Sequence, residues 1–370
     1  MIAFRFLQGI GTGGEVPVAS AYVNEFIGAK RRGRFFLLYE VIFPVGLMFA
    51  GAVGYFLVPL YGWRAMFLVG LVPAILTIPL RWFMPESPRW LASKGRLREA
   101  DAVVTQLEKD VLARGLDLPQ PAHIPEKRTP VFRKGYAPMH ESGAHSDSIE
   151  AESAPVRVSD AHASERSNWK ELFQGIYRRR TLMIWGLWLC AYLVNNGLIT
   201  WLPTIYREVF KLPLQTSLAY GFTTSAFGVA ASVVCALAID KVGRRPWYIA
   251  AFLLGSAPLL GLAYSGAQSA TEVLIFATAA YAVLQTIAFS LYLYSAELYP
   301  TRLRAIGTGL GSAWLRIGSS IGPALVGTIV GNYGIQYVFA AFAAVAVLGS
   351  LITLAFAIET KGRVLEELSP

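Results

Sequence analysis

What most constrains this chain is a series of long apolar runs separated by short connections. A hydrocarbon core about 30 Å thick takes about 20 mostly apolar residues in a helix. By that measure the sequence predicts nine spans: 2–26, 35–59, 63–84, 181–206, 217–239, 246–266, 272–298, 305–331 and 335–358. The runs are too long for transmembrane strands and lack their period of two. Composition agrees. Hydrophobic residues make up 54% and charged residues 15%, against about 25% charged in ordinary soluble domains. The expected fold class is an all-α polytopic membrane protein.

The net charge of +9 does not mark a nucleic-acid binder. Its basic residues cluster between apolar runs, as in Lys30 to Arg34, Arg178 to Arg180 and Lys241 to Arg245. That is the positive-inside pattern, and no basic face with interleaved aromatic residues accompanies it. Connections near 27–34, 240–246 and 299–304, and the tail from Lys361, are rich in Lys and Arg. Those near 60–62, 207–216, 267–271 and 332–334 hold only Arg207 and Lys211. The first set is expected on the cytoplasmic side, the second outside. Met1 then falls outside, at the head of an inward-running helix that no signal peptide directs. The expectation is that Met1 is not the natural start, or that the chain is a fragment.

A hydrophilic stretch, 85–180, divides three spans from six. Residues 93–114 carry helical periodicity, with Leu97, Val104, Leu107 and Val111 on or near one face. Residues 115–168 are rich in Pro, Ser, Ala, His and Glu and read as a disordered linker. All four histidines (His123, His140, His145 and His162) fall there, so none is available in the spans to relay protons. Their irregular spacing favours a solvated linker over a metal site. Cys190 and Cys235 lie far apart in apolar segments and give neither a disulfide framework nor a metal spacing. No cofactor or metal is expected. The domain reading is a three-span bundle at 1–84, a cytoplasmic linker at 85–180, a six-helix bundle at 181–360 and a cytoplasmic tail at 361–370.

Two segments echo each other. In Tyr22-Val-Asn-Glu25 and Tyr294-Ser-Ala-Glu297 a tyrosine precedes a glutamate by three, and Arg32 or Arg304 follows that glutamate by seven. Both sit where an inward-running helix meets the cytoplasm, as parallel transporter repeats would place them. At these residues the chain resembles the major facilitator superfamily. Asp240-Lys-Val-Gly243-Arg244-Arg245 is similar to that superfamily's D-x-x-G-R-R loop motif, and Arg5-Phe-Leu-Gln8-Gly9-Ile-Gly11 to its R-x-x-Q-G-x-G helix. Pro85-Glu86-Ser87-Pro88-Arg89 and Glu359-Thr360-Lys361-Gly362 resemble the ends of the two halves in sugar porters. The resemblance implies two six-helix bundles around a central cavity. It matches the first span here to the family's fourth, so three helices are expected to be missing. The Q-Q-x-S-G signature of true sugar porters is replaced by Asn195-Asn196-Gly197-Leu198. With Gly13-Gly14-Glu15-Val16-Pro17, that resembles metabolite:proton symporters for small organic acids, aromatic ones included.

Ionisable groups inside a bilayer are expensive and are functional candidates by default. Glu15, near mid-span, is a candidate for proton coupling or substrate contact, and equally a structural partner for a base such as Arg5. Arg5 resembles the motif arginine associated with coupling, or it snorkels outward. Arg316 is similarly deep, and its planar fork suits a carboxylate or a buried acid. Glu40, a turn or two above the cytoplasmic face, suits a gate or a structural ion pair. Asn195, Asn196, Thr200, Trp201, Gln285 and Tyr292 are candidates for the cavity wall, with helix-to-helix hydrogen bonding as the competing role. Gly46, Ala50 and Gly54, with the pairs Gly307/Gly311 and Gly318/Gly322, suit close helix packing. Glu25, Arg32, Asp240, Arg244, Glu297 and Arg304 form a candidate inner gate of ion pairs between the two halves. Gly9, Gly11 and Gly14 satisfy G-x-G-x-x-G, yet they lie inside an apolar span and not after a strand.

The expected function is secondary active transport of a small organic metabolite by alternating access, coupled to protons. A passive facilitator or sugar-type carrier is the alternative, and a non-transporting sensor or scaffold a further one. The expected partners are the substrate, protons and the bilayer, with no nucleic acid. No catalytic constellation is visible.

Overall fold

The computed structural model of the chain describes residues 32–115 and 169–361, together with Phe4, residues 6–9, Gly11 and Tyr22. The expected first span (2–26), the histidine-bearing stretch and the tail beyond Lys361 lie largely or wholly outside these residues. Among the described residues every regular element is helical, and eight spans are long and apolar enough to cross a membrane. The chain divides into two compact units, Met1–Arg81 with Glu165–Pro370, and Trp82–Ser164.

In the larger unit, α1 (Arg32–Glu40) and α2 (Ile42–Tyr61) share one span and part at Val41. Proline has no N–H, so Pro44 denies the Glu40 carbonyl its helical donor at that point. Gly62 ends α2, with φ 75° and its N–H donating to the Val58 carbonyl at 3.0 Å. α3 (Arg64–Phe83) follows. In the smaller unit, the Ser87 hydroxyl accepts from the Trp90 N–H at 3.0 Å and caps α4 (Pro88–Ser93), with proline in the first turn, where its missing N–H costs nothing. α5 (Leu97–Ala113) opens on an Arg96–Glu99 pair, Nε to Oε1 2.7 Å. Ala100 is buried and Val104 and Val111 are half-buried on the expected face of this helix, while Leu97 and Leu107 are exposed.

After a tight turn at Trp169–Phe173 come α6 (Gly175–Glu208), α7 (Leu214–Val242), α8 (Arg244–Ser265), α9 (Ala270–Leu298), α10 (Thr301–Asn332) and α11 (Ile335–Phe356). α6 begins at Gly175 instead of the expected 181. Its 34 residues run about 50 Å at about 1.5 Å each, well beyond the bilayer core. At α9 the Ser269 hydroxyl accepts from the Glu272 N–H at 3.1 Å, an N-cap.

Small residues let α10 lie directly on α6. A Cβ at Gly318 would meet the Leu189 carbonyl oxygen at 2.8 Å, and one at Gly322 would collide with the Leu193 carbonyl. Gly311 is similarly pressed by Trp188. In the expected Gly46–Ala50–Gly54 stripe, an added Cβ at Gly46 meets nothing within 4 Å, while one at the buried Gly54 would stand 3.5 Å from Met66 Cε of α3. One at Gly51 would stand 3.7 Å from the Phe222 backbone of α7, an ordinary contact.

The core is rich in fully buried tyrosines, each carrying a polar tip that needs a partner. Tyr248 OH accepts from Ser290 Oγ at 3.1 Å. Tyr294 OH donates to the Ile358 carbonyl at 2.8 Å and accepts from its N–H at 3.0 Å. Tyr299 OH donates to Thr181 Oγ1 at 3.0 Å. The Tyr294 and Tyr299 bonds tie the chain after α11 to α9, and the segment after α9 to α6.

Candidate functional site

A cavity of about 450 Å³ lies among α1, α2, α6, α9 and α10. Each element contributes residues at helical spacing: Glu40, Phe43, Pro44 and Leu47; Tyr192, Asn195, Asn196 and Ile199; Tyr281, Gln285, Ala288 and Tyr292; Leu315, Arg316 and Ser319. Offsets of three and four keep such residues on one face, so four helical faces converge on the space.

Its polar groups are held firmly on one side. Asn195 Nδ2 donates to Gln285 Oε1, joining α6 to α9. Asn196 Nδ2 donates to Ser319 Oγ at 3.0 Å, joining α6 to α10. Tyr192 OH donates to the Ala288 carbonyl at 3.3 Å. Behind them Trp188 is fully buried, stacks on Tyr192 with centroids 5.4 Å apart and meets Tyr292 edge-on at 4.6 Å. Trp188 Nε1 donates to Ser295 Oγ at 3.0 Å. The result is a rigid aromatic and amide wall facing one cation, Arg316, and one carboxylate, Glu40. No ion pair involving either is formed among the described residues.

Glu40 changes role. Expected at a gate or in a structural ion pair, it is 3% exposed and lines the cavity. Counting residues from the helix start gave its depth but not the direction its side chain takes. Asn195, Asn196, Gln285, Tyr292 and Arg316 line this cavity. Thr200 and Trp201 do not: Thr200 is exposed, and Trp201 lies 3.4 Å from where a Gly327 Cβ would stand on α10. Both fall off the 192–195–196–199 face. Glu15 and Arg5 lie outside the described residues. Tyr192, Tyr281 and Ser319 were missed, although the first stands three residues before Asn195 and the second four before Gln285.

A second polar centre occupies the end of the unit that carries the basic turns. Arg244, opening α8, places Nη1 2.8 Å from Asp240 Oδ1 of α7. Its other edge forms a bidentate pair with Glu297 of α9, at 2.8 and 3.1 Å. Such fork-to-carboxylate pairs are stronger and more directional than single contacts. Thr360 Oγ1 donates to Glu297 Oε2 at 2.5 Å. Glu359 accepts from the backbone N–H groups of Arg244, Arg245, Thr360 and Lys361 at 2.8 to 3.0 Å. Partial burial pushes the Glu359 carboxyl up, but those four donors outweigh it and hold it below the usual range. Gly243 makes this cradle possible, because its φ is +104° and a Cβ there would stand 2.6 Å from Glu359 Oε2.

Among the described residues the ion-pair partners of Arg244 belong to α7 and α9, so these pairs tie helices of the second six together. The D-x-x-G-R-R loop places Asp240 one turn before Arg244, which makes local pairing geometrically ready. Arg304 is half-buried in the first turn of α10. Glu25 and the Arg32 side chain lie outside the described residues.

A family model described as "Sugar (and other) transporter" matches residues 1–370. The chain belongs to that family. It is 28% identical over 376 residues to the niacin transporter NiaP of Acinetobacter baylyi, covering 100% of this chain and 75% of that protein. The benzoate transport protein of the same organism is 28% identical over 327 residues, covering 88% and 62%. An inner membrane metabolite transport protein of Escherichia coli, YgcS, is 25% identical over 363 residues, covering 98% and 71%. The fold is that of the major facilitator superfamily protein XylE, a proton:xylose symporter, with a TM-score of 0.66 at 19% identity over 99% of this chain and 73% of that one. This sugar (and other) transporter is therefore a multi-pass membrane transporter and not an enzyme.

Proposed function

We propose that the protein is a secondary active transporter for a small organic acid with an aromatic or otherwise flat apolar body, working by alternating access and coupled to protons. The observation that carries this reading is the cavity itself. Arg316 offers a positive fork for a carboxylate, and Tyr192, Tyr281, Tyr292 and Phe289 offer faces and edges for a ring. The niacin and benzoate relatives carry molecules of that kind by name. The amides Asn195, Asn196 and Gln285 support a second reading, a sugar or polyol carrier or facilitator, because hydroxyl-rich ligands need paired donors and acceptors. Two of those amides are bonded to each other, and the third to Ser319, which leaves them less capacity for a sugar.

In this reading the six spans from Gly175 to Phe356 form the second half of the transporter, and those before it belong to the first half. The Arg244 cluster works as a latch at the cytoplasmic end, with Glu25, Arg32 and Arg304 completing it across the halves. Glu15 supplies the proton site and Arg5 its partner. Glu15→Gln in reconstituted protein should abolish accumulation driven by a pH gradient while leaving substrate exchange measurable. Unchanged accumulation would remove Glu15 from the mechanism.

A further inference from the structure

We infer that the cavity takes an amphoteric ligand, a carboxylate that also carries a hydrogen-bond-donating or cationic nitrogen, with Glu40 as the contact for that nitrogen. The inference rests on the cavity being the substrate site and adds its second pole.

The argument starts from atoms left without partners. Among the described residues Glu40 Oε1 and Asn195 Oδ1 are buried with no hydrogen bond. Both residues are more than nine-tenths buried, at 3% and 4% exposure, and both line the same cavity. A buried polar atom without a partner costs about 1–3 kcal/mol, and native proteins keep few of them without a reason. Two in one cavity mark a place where a ligand completes the bonding. Asn195 Oδ1 accepts, and Glu40 Oε1 accepts when the carboxyl is ionised, so a donor, above all a cationic one, completes both. Pro44 adds to this deficit, because it supplies no N–H to the Glu40 carbonyl.

The opposite need sits on α10. Arg316 lines the cavity, is exposed and has no ion-pair partner among the described residues, so its guanidinium is open to an anion. Glu40 and Arg316 do not neutralise each other, since no pair forms within 4.0 Å. Phe43 and Tyr292, with the Trp188–Tyr192 stack behind, make the remaining wall apolar and aromatic. A ligand with a carboxylate at one end, a flat apolar middle and an N–H or ammonium group at the other satisfies all of these at once. A plain aromatic carboxylate satisfies Arg316 and leaves both acceptors orphaned. Specificity arises from that difference, because a site built to bond a donor rejects the analogue lacking it.

The test is equilibrium binding to the purified full protein in detergent, using benzoate and the meta and para isomers of aminomethylbenzoate as probes. At least one isomer should bind about tenfold more tightly than benzoate, equivalent to about 1.4 kcal/mol. Glu40→Gln should erase that advantage, so that the favoured isomer binds no more tightly than benzoate does to the same variant. If benzoate binds wild type as well as either isomer, the second pole does not exist and the organic-acid reading stands without it. The same holds if Glu40→Gln keeps the advantage. If none of the three carboxylates binds, both readings fall together. The wild-type comparison needs no variant, so poor folding of Glu40→Gln does not remove the test.

Discussion

Arg244→Ala should abolish transport and lower the stability of the second six-helix bundle by about 3 kcal/mol. The arginine side chain is 7% exposed and pairs with Asp240, 43% exposed, and Glu297, 17% exposed. Removing it leaves two carboxylates facing one another with no cation between them. Deleting one partner of a buried pair costs more than the pair is worth, because the other charge stays desolvated. Most of the cost falls on Glu297, as Asp240 can turn to water. Arg244→Lys should restore only part of the loss, since a point charge cannot reproduce the bidentate contact. In Arg244→Ala/Glu297→Gln the second change should recover some stability, and thermal unfolding of all four proteins in one detergent gives the coupling energy. Equal melting temperatures for wild type and Arg244→Ala would mean that the cluster is a surface decoration.

The second large effect is at the α6–α10 crossing. Gly318→Ala and Gly322→Ala should each destabilise by about 1–3 kcal/mol, as overpacking does. The obstructing atoms are backbone: Leu189 O and Leu193 N at 2.8 and 3.1 Å for Gly318, and Leu193 O with the Gly197 N–H for Gly322. A side chain can swing aside, but a helix backbone must move as a body. That movement separates Asn196 from Ser319, which are bonded across this same contact, so substrate affinity should fall with stability. Gly46→Ala and Gly309→Ala serve as controls, because an added Cβ at either meets nothing within 4 Å. Melting temperatures of the four variants separate crossing from propensity. If Gly318→Ala and Gly322→Ala match the controls, the crossing is looser than described here.

Hydrophobic run length and basic turns made the spans legible in the sequence, because both follow from the bilayer as a solvent. The helices α6 to α11 lie where those runs predict, with ends displaced by a few residues. The displacement at Gly175 has a plain cause: a helix does not stop at the edge of the hydrocarbon, and polar residues such as Arg178 and Arg179 continue it into the headgroup region. Azimuth was far less legible. Gly51 and Gly54 meet neighbours where Gly46 does not, and Trp201 faces α10 while Asn195, six residues earlier, faces the cavity. Membrane helices are apolar nearly all round, so the amphipathic signal that orients a soluble helix is weak. Polar residues in such helices show that something polar is near, not which neighbour supplies it.

Glu40 illustrates the same limit. Its depth was legible from its distance to the basic turn, but its burial against the cavity depends on packing among α1, α2 and α9. Arg244 illustrates the opposite case. The i, i+4 spacing puts Asp240 within reach of Arg244, while the contacts to Glu297 and the Glu359 cradle required the bundle to be assembled. Sequence motifs named the participants there. The fold decided which of them touch.

The central claim, that the cavity around Arg316 carries organic acids, is tested most directly by counterflow of labelled benzoate in proteoliposomes. Vesicles preloaded with unlabelled benzoate should take up the label transiently, with saturation and with competition by nicotinate but not by xylose. Arg316→Gln should reduce that uptake at least about tenfold, the loss of about 1.4 kcal/mol of anion contact, while the protein stays monodisperse. Counterflow of labelled xylose in place of benzoate, or benzoate counterflow untouched by Arg316→Gln, would contradict the account.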